Sequence, residues 1–243
     1  MCFEASQENR EAWIAEYREG SRPWEALSAD SLVRFLREAR FIFDDVRTVL
    51  DIGCGNGGPL LDLVLSVNEL NRREITVVGI DFVPQAIEEA NDRLARLRRG
   101  ESVTLRSGEV LSGVVHAEMS FLNLEAGELE SKGIQADLVI DWMCFHELNA
   151  EHDNEYGEMI ARVCTGWYVL RTFSDKREKV DLVHLRDGQI HKRGFSFEEI
   201  CNRFASHFVC DVTRKEDKER TVKEGAFEDE HAKRTLLMKK RPK

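Results

Sequence analysis

Residues 49–63 read Val-Leu-Asp-Ile-Gly-Cys-Gly-Asn-Gly-Gly-Pro-Leu-Leu-Asp-Leu. An apolar run carrying Asp51 leads directly into a loop with Gly53, Gly55, Gly57 and Gly58. Pro59 stands where a first helical residue is expected, a position that suits proline because its missing N–H would have no partner there anyway. Leu60, Leu61, Leu63, Val64 and Val67 then continue as one apolar helix face. Strand, glycine loop and helix in succession are how an α/β sheet brings backbone N–H groups and a positive helix N-terminus up to a ligand.

The glycines alone leave the ligand open. Gly53-x-Gly55-x-x-Gly58 satisfies the dinucleotide fingerprint, and a bare strand-to-helix turn would also use glycines. Asp51, two residues before the first glycine, leans the reading. A carboxylate there repels a diphosphate and attracts an ammonium, so a ligand with a cationic amino-acid end fits better than a dinucleotide.

Outward from the loop, helix-like and strand-like stretches alternate. Residues 8–20 form an amphipathic pattern with Trp13, Ile14 and Tyr17 on one side, broken at Gly20-Ser21-Arg22-Pro23-Trp24. A second helix is expected from Ser28 or Asp30 to Arg40. The first strand, 47–52, is followed by a helix over 59–70, and the second strand, Ile75 to Ile80, by Asp81 and a helix from Pro84 to about Leu97. Residues 98–112 read as a polar loop or insertion, 113–118 as the third strand and 125–131 as a short helix. Ala136 to Asp141 is nearly all apolar, as a strand covered on both faces should be. A helix over Glu151 to Val163, a strand over Trp167 to Thr172 and a long loop over 174–195 follow. A helix from Phe197 to Ala205 capped by Ser196, a strand over His207 to Val212, a charged solvated loop over 214–234 and a last strand over 235–240 complete the chain. This order predicts an α/β fold: a doubly wound, seven-stranded, mostly parallel sheet. Residues 1–40 are expected to form an N-terminal helical lid and 41–243 the ligand-binding domain.

Composition narrows the partners. The 243 residues are 42% hydrophobic and 33% charged, with a formal net charge of −10, which argues against nucleic acid as the main partner. Arg93, Arg96, Arg98 and Arg99 fall late on a helix, where cations are favourable in any case. No apolar run reaches membrane-helix length and no signal-peptide layout opens the chain, so a cytoplasmic location without membrane attachment is expected. Cys2, Cys54, Cys144, Cys164, Cys201 and Cys210 lack C-x-x-C spacing, so reduced thiols are expected rather than a metal site or a disulfide framework. Oligomeric state is not legible.

Ligands of open α/β sheets bind beyond the carboxyl ends of the strands, so residues following each strand converge on one site. Asp81 can accept hydrogen bonds from both hydroxyls of a ribose, and Phe82 can lie on an adenine face. Glu118 is placed to reach an adenine amino group, with Met119 beside the ring. Asp141, Trp142, Cys144, Phe145 and His146 follow the fourth strand. Carboxylates after four strands suit a ligand bearing a sulfonium and an ammonium.

On these residues, about 45–175 resemble class I S-adenosylmethionine (SAM)-dependent methyltransferases of the Rossmann-like fold. The resemblance implies that Asp51, Gly53, Cys54, Gly55 and Gly57 approach the methionine end of the cofactor. It also implies that Asp81 holds the ribose, that Phe82, Glu118 and Met119 surround the adenine, and that Asp141 belongs to the cofactor site. Asp141-Trp-Met-Cys-Phe-His146-Glu-Leu, the front segment Trp13…Tyr17…Pro23-Trp24 and Phe195-Ser-Phe-Glu-Glu-Ile200 resemble the small-molecule branch, thiopurine- and thiocyanate-type enzymes. That likeness implies a lid of Trp13, Tyr17 and Trp24, acceptor contacts from Trp142 and Phe145, and a small-molecule acceptor. Cys164-Thr-Gly166-Trp stands where the family usually has Pro-Gly-Gly. His146 is the candidate base, because imidazole titrates near neutrality. Position 150 is Ala, so no H-E-x-x-H zinc motif forms and no metal is expected. A nicotinamide-dependent oxidoreductase and a non-catalytic SAM-binding regulator remain as alternatives.

Overall fold

The structure, a computed structural model, describes residues 7–19, 30–148, 152–174, 183–185, 188–190, 194–218 and 233–242. Two helices, α1 (Gln7–Glu19) and α2 (Asp30–Glu38), precede β1 (Thr48–Ile52), α3 (Gly58–Ser66), β2 (Thr76–Asp81) and α4 (Pro84–Arg98). Two short strands, β3 (Val103–Thr104) and β4 (Val110–Leu111), pair as an antiparallel hairpin inside the stretch read as a loop. Then come β5 (Glu118–Asn123), β6 (Ala136–Trp142), α5 (Asp153–Val163), β7 (Cys164–Ser174), β8 (Val183–Leu185), β9 (Gly188–Ile190), β10 (Gly194–Phe195), α6 (Phe197–Phe204), β11 (Phe208–Lys218) and β12 (Lys233–Lys240).

The main sheet runs β11-β12-β7-β6-β1-β2-β5, with the two residues of β10 added along the end of β7. Strands β5, β2, β1, β6 and β7 are parallel neighbours, and β12 lies antiparallel between β7 and β11. Alternate strand residues feed two cores, as the period of two requires. Val49, Val77, Leu138, Ile140, Val169 and Leu237 pack with α2, α3 and α4. Leu50, Ile52, Val139, Tyr168, Leu170 and Leu236 pack with α5 and α6. The doubly wound α/β expectation holds.

Four expectations need correction. The third strand is not 113–118 but Glu118–Asn123. The side chain of Asn71 takes the hydrogen bonds a strand would have used: its Nδ2 donates to the carbonyl of Val114 at 2.9 Å, and its Oδ1 accepts from the N–H of His116 at 2.7 Å. The charged stretch 214–234 is not all loop, since β11 continues to Lys218 and β12 begins at Lys233. β11 is an edge strand, where charge along the rim is tolerated and discourages pairing with other chains. Cys201 and Cys210 are joined as a disulfide across α6 and β11, Cα atoms 5.9 Å apart; the turn that folds β11 back onto α6 makes neighbours of thiols whose spacing says nothing. Finally, α2 is part of the main core through Leu32, Phe35 and Leu36, so it is not part of a separate helical cover over 1–40. Trp24 and most of the 174–195 loop lie outside the described residues. Among the described residues no helix is long and apolar enough to cross a membrane.

Candidate cofactor and acceptor site

The loop after β1 turns on glycines in the left-handed region, with φ of +69° at Gly53, +54° at Gly55 and +73° at Gly57. At Gly55 a Cβ would stand 2.8 Å from the hydroxyl oxygen of Tyr17, and at Gly57 it would stand 2.5 Å from the ring of Phe121. Gly57 caps α3 and Gly58 begins it. The amides that would cradle a diphosphate are used inside the loop: Gly57 N–H donates to Cys54 O at 3.0 Å, and Gly58 N–H to Asn56 Oδ1 at 3.3 Å.

Asp51 is buried, and its Oδ1 has no hydrogen-bond donor. Burial first, then the neighbouring charges of Asp141 and Asp81, pushes its pKa well above the usual carboxylate range. Asp81, ending β2, accepts from Gly55 N–H through Oδ2 and from Val83 N–H through Oδ1, both at 2.9 Å. Burial raises its pKa to about 6 against the pull of those bonds. Phe82 follows, packed with Tyr17, Val83 and Ala86. Trp13, Ile14 and Tyr17 of α1 rest on this cluster, so α1 lies over the ends of β1 and β2. Oε2 of Glu16 on α1 and Oε1 of Gln85 on α4 are also buried without donors.

Cys54 and Cys144 border the loop. The Sγ of Cys144 lies 3.1 Å from a Cβ built on Gly53, and that of Cys54 lies 3.0 Å from one built on Gly79. Burial, followed by nearby carboxylates, raises both thiols well above their ordinary pKa, which disfavours the thiolate form.

Three expectations about the site fail on geometry. Glu118 and Met119 open β5 instead of following a strand: Glu118 is opposite Thr76, while Asn123 is opposite Asp81. They therefore stand at the amino end of the sheet, and Asn123 and Leu124 take the place expected for them. Asp141 is 0% exposed, and both oxygens are engaged. Oδ1 accepts from Cys144 N–H at 2.9 Å and Phe145 N–H at 3.1 Å; Oδ2 accepts from the hydroxyls of Tyr156 at 2.6 Å and Tyr168 at 3.3 Å. It holds the turn after β6 and has no lone pair to spare for a cofactor. Phe145 is a core residue, its ring centroid 5.1–5.6 Å from those of Tyr156, Phe195 and Phe204.

Beyond β6 and β7 the remaining residues gather. Trp142 stands opposite Arg171 in register, and Arg171 opposite Thr235. The guanidinium of Arg171 lies 4.6 Å from the centre of the Trp142 ring, and Arg171 is 6% exposed. His146 is 1% exposed, with Nε2 2.9 Å from Oε1 of Glu147 and its ring edge-on to Phe173. Sequence reasoning passed over Asn123, Arg171 and Glu16. Asn123 was hidden by the misplaced strand. Arg171, a cation inside an apolar strand, was visible as a break in pattern, whereas Glu16 reads like the other glutamates of α1.

Residues 43–153 match the family model for the methyltransferase domain. The ribosomal protein L11 methyltransferase of Sodalis glossinidius (strain morsitans) is 34% identical over 95 residues, 39% of this chain and 29% of that enzyme. The chain thus spans less than a third of the length of that curated relative. Among solved structures, the 1,6-didemethyltoxoflavin-N1-methyltransferase of Burkholderia thailandensis, with its substrate and S-adenosylhomocysteine bound, superposes with a TM-score of 0.69 at 18% identity, covering 98% of this chain and 89% of that one. The magnesium protoporphyrin IX methyltransferase of Synechocystis PCC 6803 with bound S-adenosylhomocysteine gives 0.62 at 15%, covering 97% and 95%. At such identities the superpositions show the fold. Residues 43–153 thus match a methyltransferase domain, and two solved structures that share the fold hold S-adenosylhomocysteine, the product left by the cofactor SAM.

The residues present fit that cofactor. Asp51, buried and short of a donor, stands beside the loop, while the amides of Gly57 and Gly58 are already engaged inside it. A ligand with an ammonium supplies the donor that Asp51 lacks; a diphosphate would meet carboxylates instead.

Proposed function

We propose that the protein transfers a methyl group from SAM to a small-molecule nucleophile by in-line displacement. The observation that carries this reading is the buried Asp51 carboxylate, with an oxygen lacking any donor, at the mouth of the glycine loop. Asp51 would receive the ammonium of the methionine end, Gly53 and Gly55 would let that end approach the backbone, Asp81 would take the ribose hydroxyls, and Phe82 and Asn123 would border the adenine.

When bound, SAM supplies an electrophilic methyl group on a sulfonium. The chain's part is to align the acceptor and exclude water, which in well-oriented intramolecular reactions is worth roughly 10⁵ M or more of effective molarity. α1 serves as the cover, with Trp13 and Tyr17 closing over the loop. Trp142, Arg171 and His146 line the acceptor side beyond β6 and β7. Support for a small acceptor comes from the likeness of Asp141–Leu148 and Trp13–Tyr17 to the thiopurine- and thiocyanate-type enzymes, and from overall folds shared with small-molecule methyltransferases. The ribosomal-protein acceptor in the curated relative's name belongs to an enzyme of which this chain matches less than a third.

Calorimetry with SAM, S-adenosylhomocysteine and NAD(H) tests the cofactor, and S-adenosylhomocysteine release in the presence of thiols, amines, phenols and halides tests transfer. Binding of NAD(H) in place of SAM overturns the reading. Tight SAM binding without turnover on any acceptor favours a regulatory SAM-binding role.

A further inference from the structure

Resting on the methyltransferase reading, we propose that Glu16 recognises the methyl acceptor and that the acceptor is therefore an amine, bound as its ammonium. Glu16 is 5% exposed, and its Oε2 meets no donor. A buried carboxylate without a partner is strongly disfavoured, so a donor must come from elsewhere. Its place indicates the donor. Ala12 and Glu16, one helical turn apart, form an inward stripe beside that of Trp13 and Tyr17, and the Tyr17 hydroxyl reaches the backbone of Gly55. Glu16 thus lies on the inner side of α1, which packs against α4 and β9. The cofactor's own needs are met by others: Asp51 for its ammonium and Asp81 for its ribose. Glu16 is an acid that neither of these needs engages.

A buried unpaired anion selects against thiolates, halides and carboxylates, which it repels, and selects for a cation. The chemistry also requires an acid–base partner. An ammonium has no lone pair and must lose a proton before it attacks. In a dry pair with no water to solvate the two charges, transfer of that proton to the carboxylate gives a neutral amine and a neutral acid. The nitrogen lone pair then forms the new N–C bond while the C–S bond breaks, its electron pair going to sulfur. The product departs as the methylammonium ion, and Glu16 returns its proton to water.

The test uses the full chain saturated with S-adenosylhomocysteine. Benzylamine, phenethylamine and tryptamine are titrated calorimetrically against phenylethanol and phenylacetate. At least one amine should bind tenfold or more tightly than both analogues, and Glu16→Gln should erase that preference while changing S-adenosylhomocysteine affinity less than threefold. With SAM, that amine should release S-adenosylhomocysteine at a rate cut at least 100-fold by Glu16→Gln and partly recovered by Glu16→Asp. The proposal is overturned if no amine outbinds its analogues in the wild-type chain, a comparison that needs no variant to fold. It is also overturned if Glu16→Gln keeps the preference, or if it weakens the cofactor product as much as the amine, which would assign Glu16 to the cofactor. A wild-type chain that fails to bind S-adenosylhomocysteine removes the methyltransferase reading itself, a result distinct from the others.

Discussion

The backbone N–H of Gly55 donates to Oδ2 of Asp81 at 2.9 Å, so the glycine loop after β1 and the carboxylate that ends β2 are one structural unit. The parallel register brings them together, with Asp51 opposite Gly79 and Ile52 opposite Ile80. A residue that would grip the ribose also sets the shape of the loop that would receive the methionine end.

Replacing Asp81 should therefore damage binding through both. Asp81→Ala removes two charge-assisted hydrogen bonds expected to the ribose, and S-adenosylhomocysteine affinity should fall by about 100-fold or more. Calorimetry decides this; an affinity within threefold of wild type would take Asp81 out of the site.

Acid should weaken cofactor binding. Burial holds the Asp81 pKa at about 6, and ribose hydroxyls need the ionised form as acceptor. Affinity should be level above pH 7 and fall roughly tenfold per pH unit below about 6. The ligand-free fold moves the other way. Its raised carboxylates bind protons more tightly than the unfolded chain does, so their contribution to stability improves as pH falls through about 6 toward the unfolded value near 4. Titrations at several pH values, with thermal melts alongside, separate the two trends.

Gly55→Ala would place a methyl group 2.8 Å from the Tyr17 hydroxyl, at a φ of +54°. Strain of about 1–2 kcal/mol is expected, together with displacement of α1. Adding Tyr17→Phe should return part of that loss in denaturant melts, because the clash is with the hydroxyl. Strictly additive effects would show that Tyr17 does not sit on the loop.

Asp141 should prove a stability residue. Asp141→Ala strands two backbone N–H groups and two tyrosine hydroxyls, at a cost of about 3–5 kcal/mol. A melting temperature within about 2 °C of wild type would contradict this, since a chain of this size loses roughly 2–4 °C per kcal/mol.

Glu118→Gln should leave cofactor affinity unchanged, because Glu118 is five residues, roughly 16 Å of strand, from the carboxyl edge. Asn123→Ala, at that edge, should weaken S-adenosylhomocysteine several-fold by calorimetry. The reverse pattern would restore the original placement of the third strand.

Much of the fold was local and therefore legible. The Asp51–Leu63 run, Pro59 and Pro84 at helix starts, and the apolar Ala136–Ile140 strand announce their elements through backbone preference and hydrophobic period. The third strand was misread because Val114–Val115 looks more strand-like than Glu118–Asn123. The decision lay with the side chain of Asn71, more than forty residues away.

The sequence by itself determined the α/β class, the glycine loop and the two acids beside it, Asp51 and Asp81, because these depend on residue type and short spacing. Only the tertiary structure decided which acids are free to act. Asp141 and Asp51 look alike in the chain, yet one has both oxygens engaged and the other has one oxygen with no donor. Glu16 looks like any surface glutamate until α1 folds over the sheet and buries it. Whether a carboxylate supports the fold or waits for a ligand depends on the donors that other elements bring within about 3 Å of it, and those elements meet only in the folded protein.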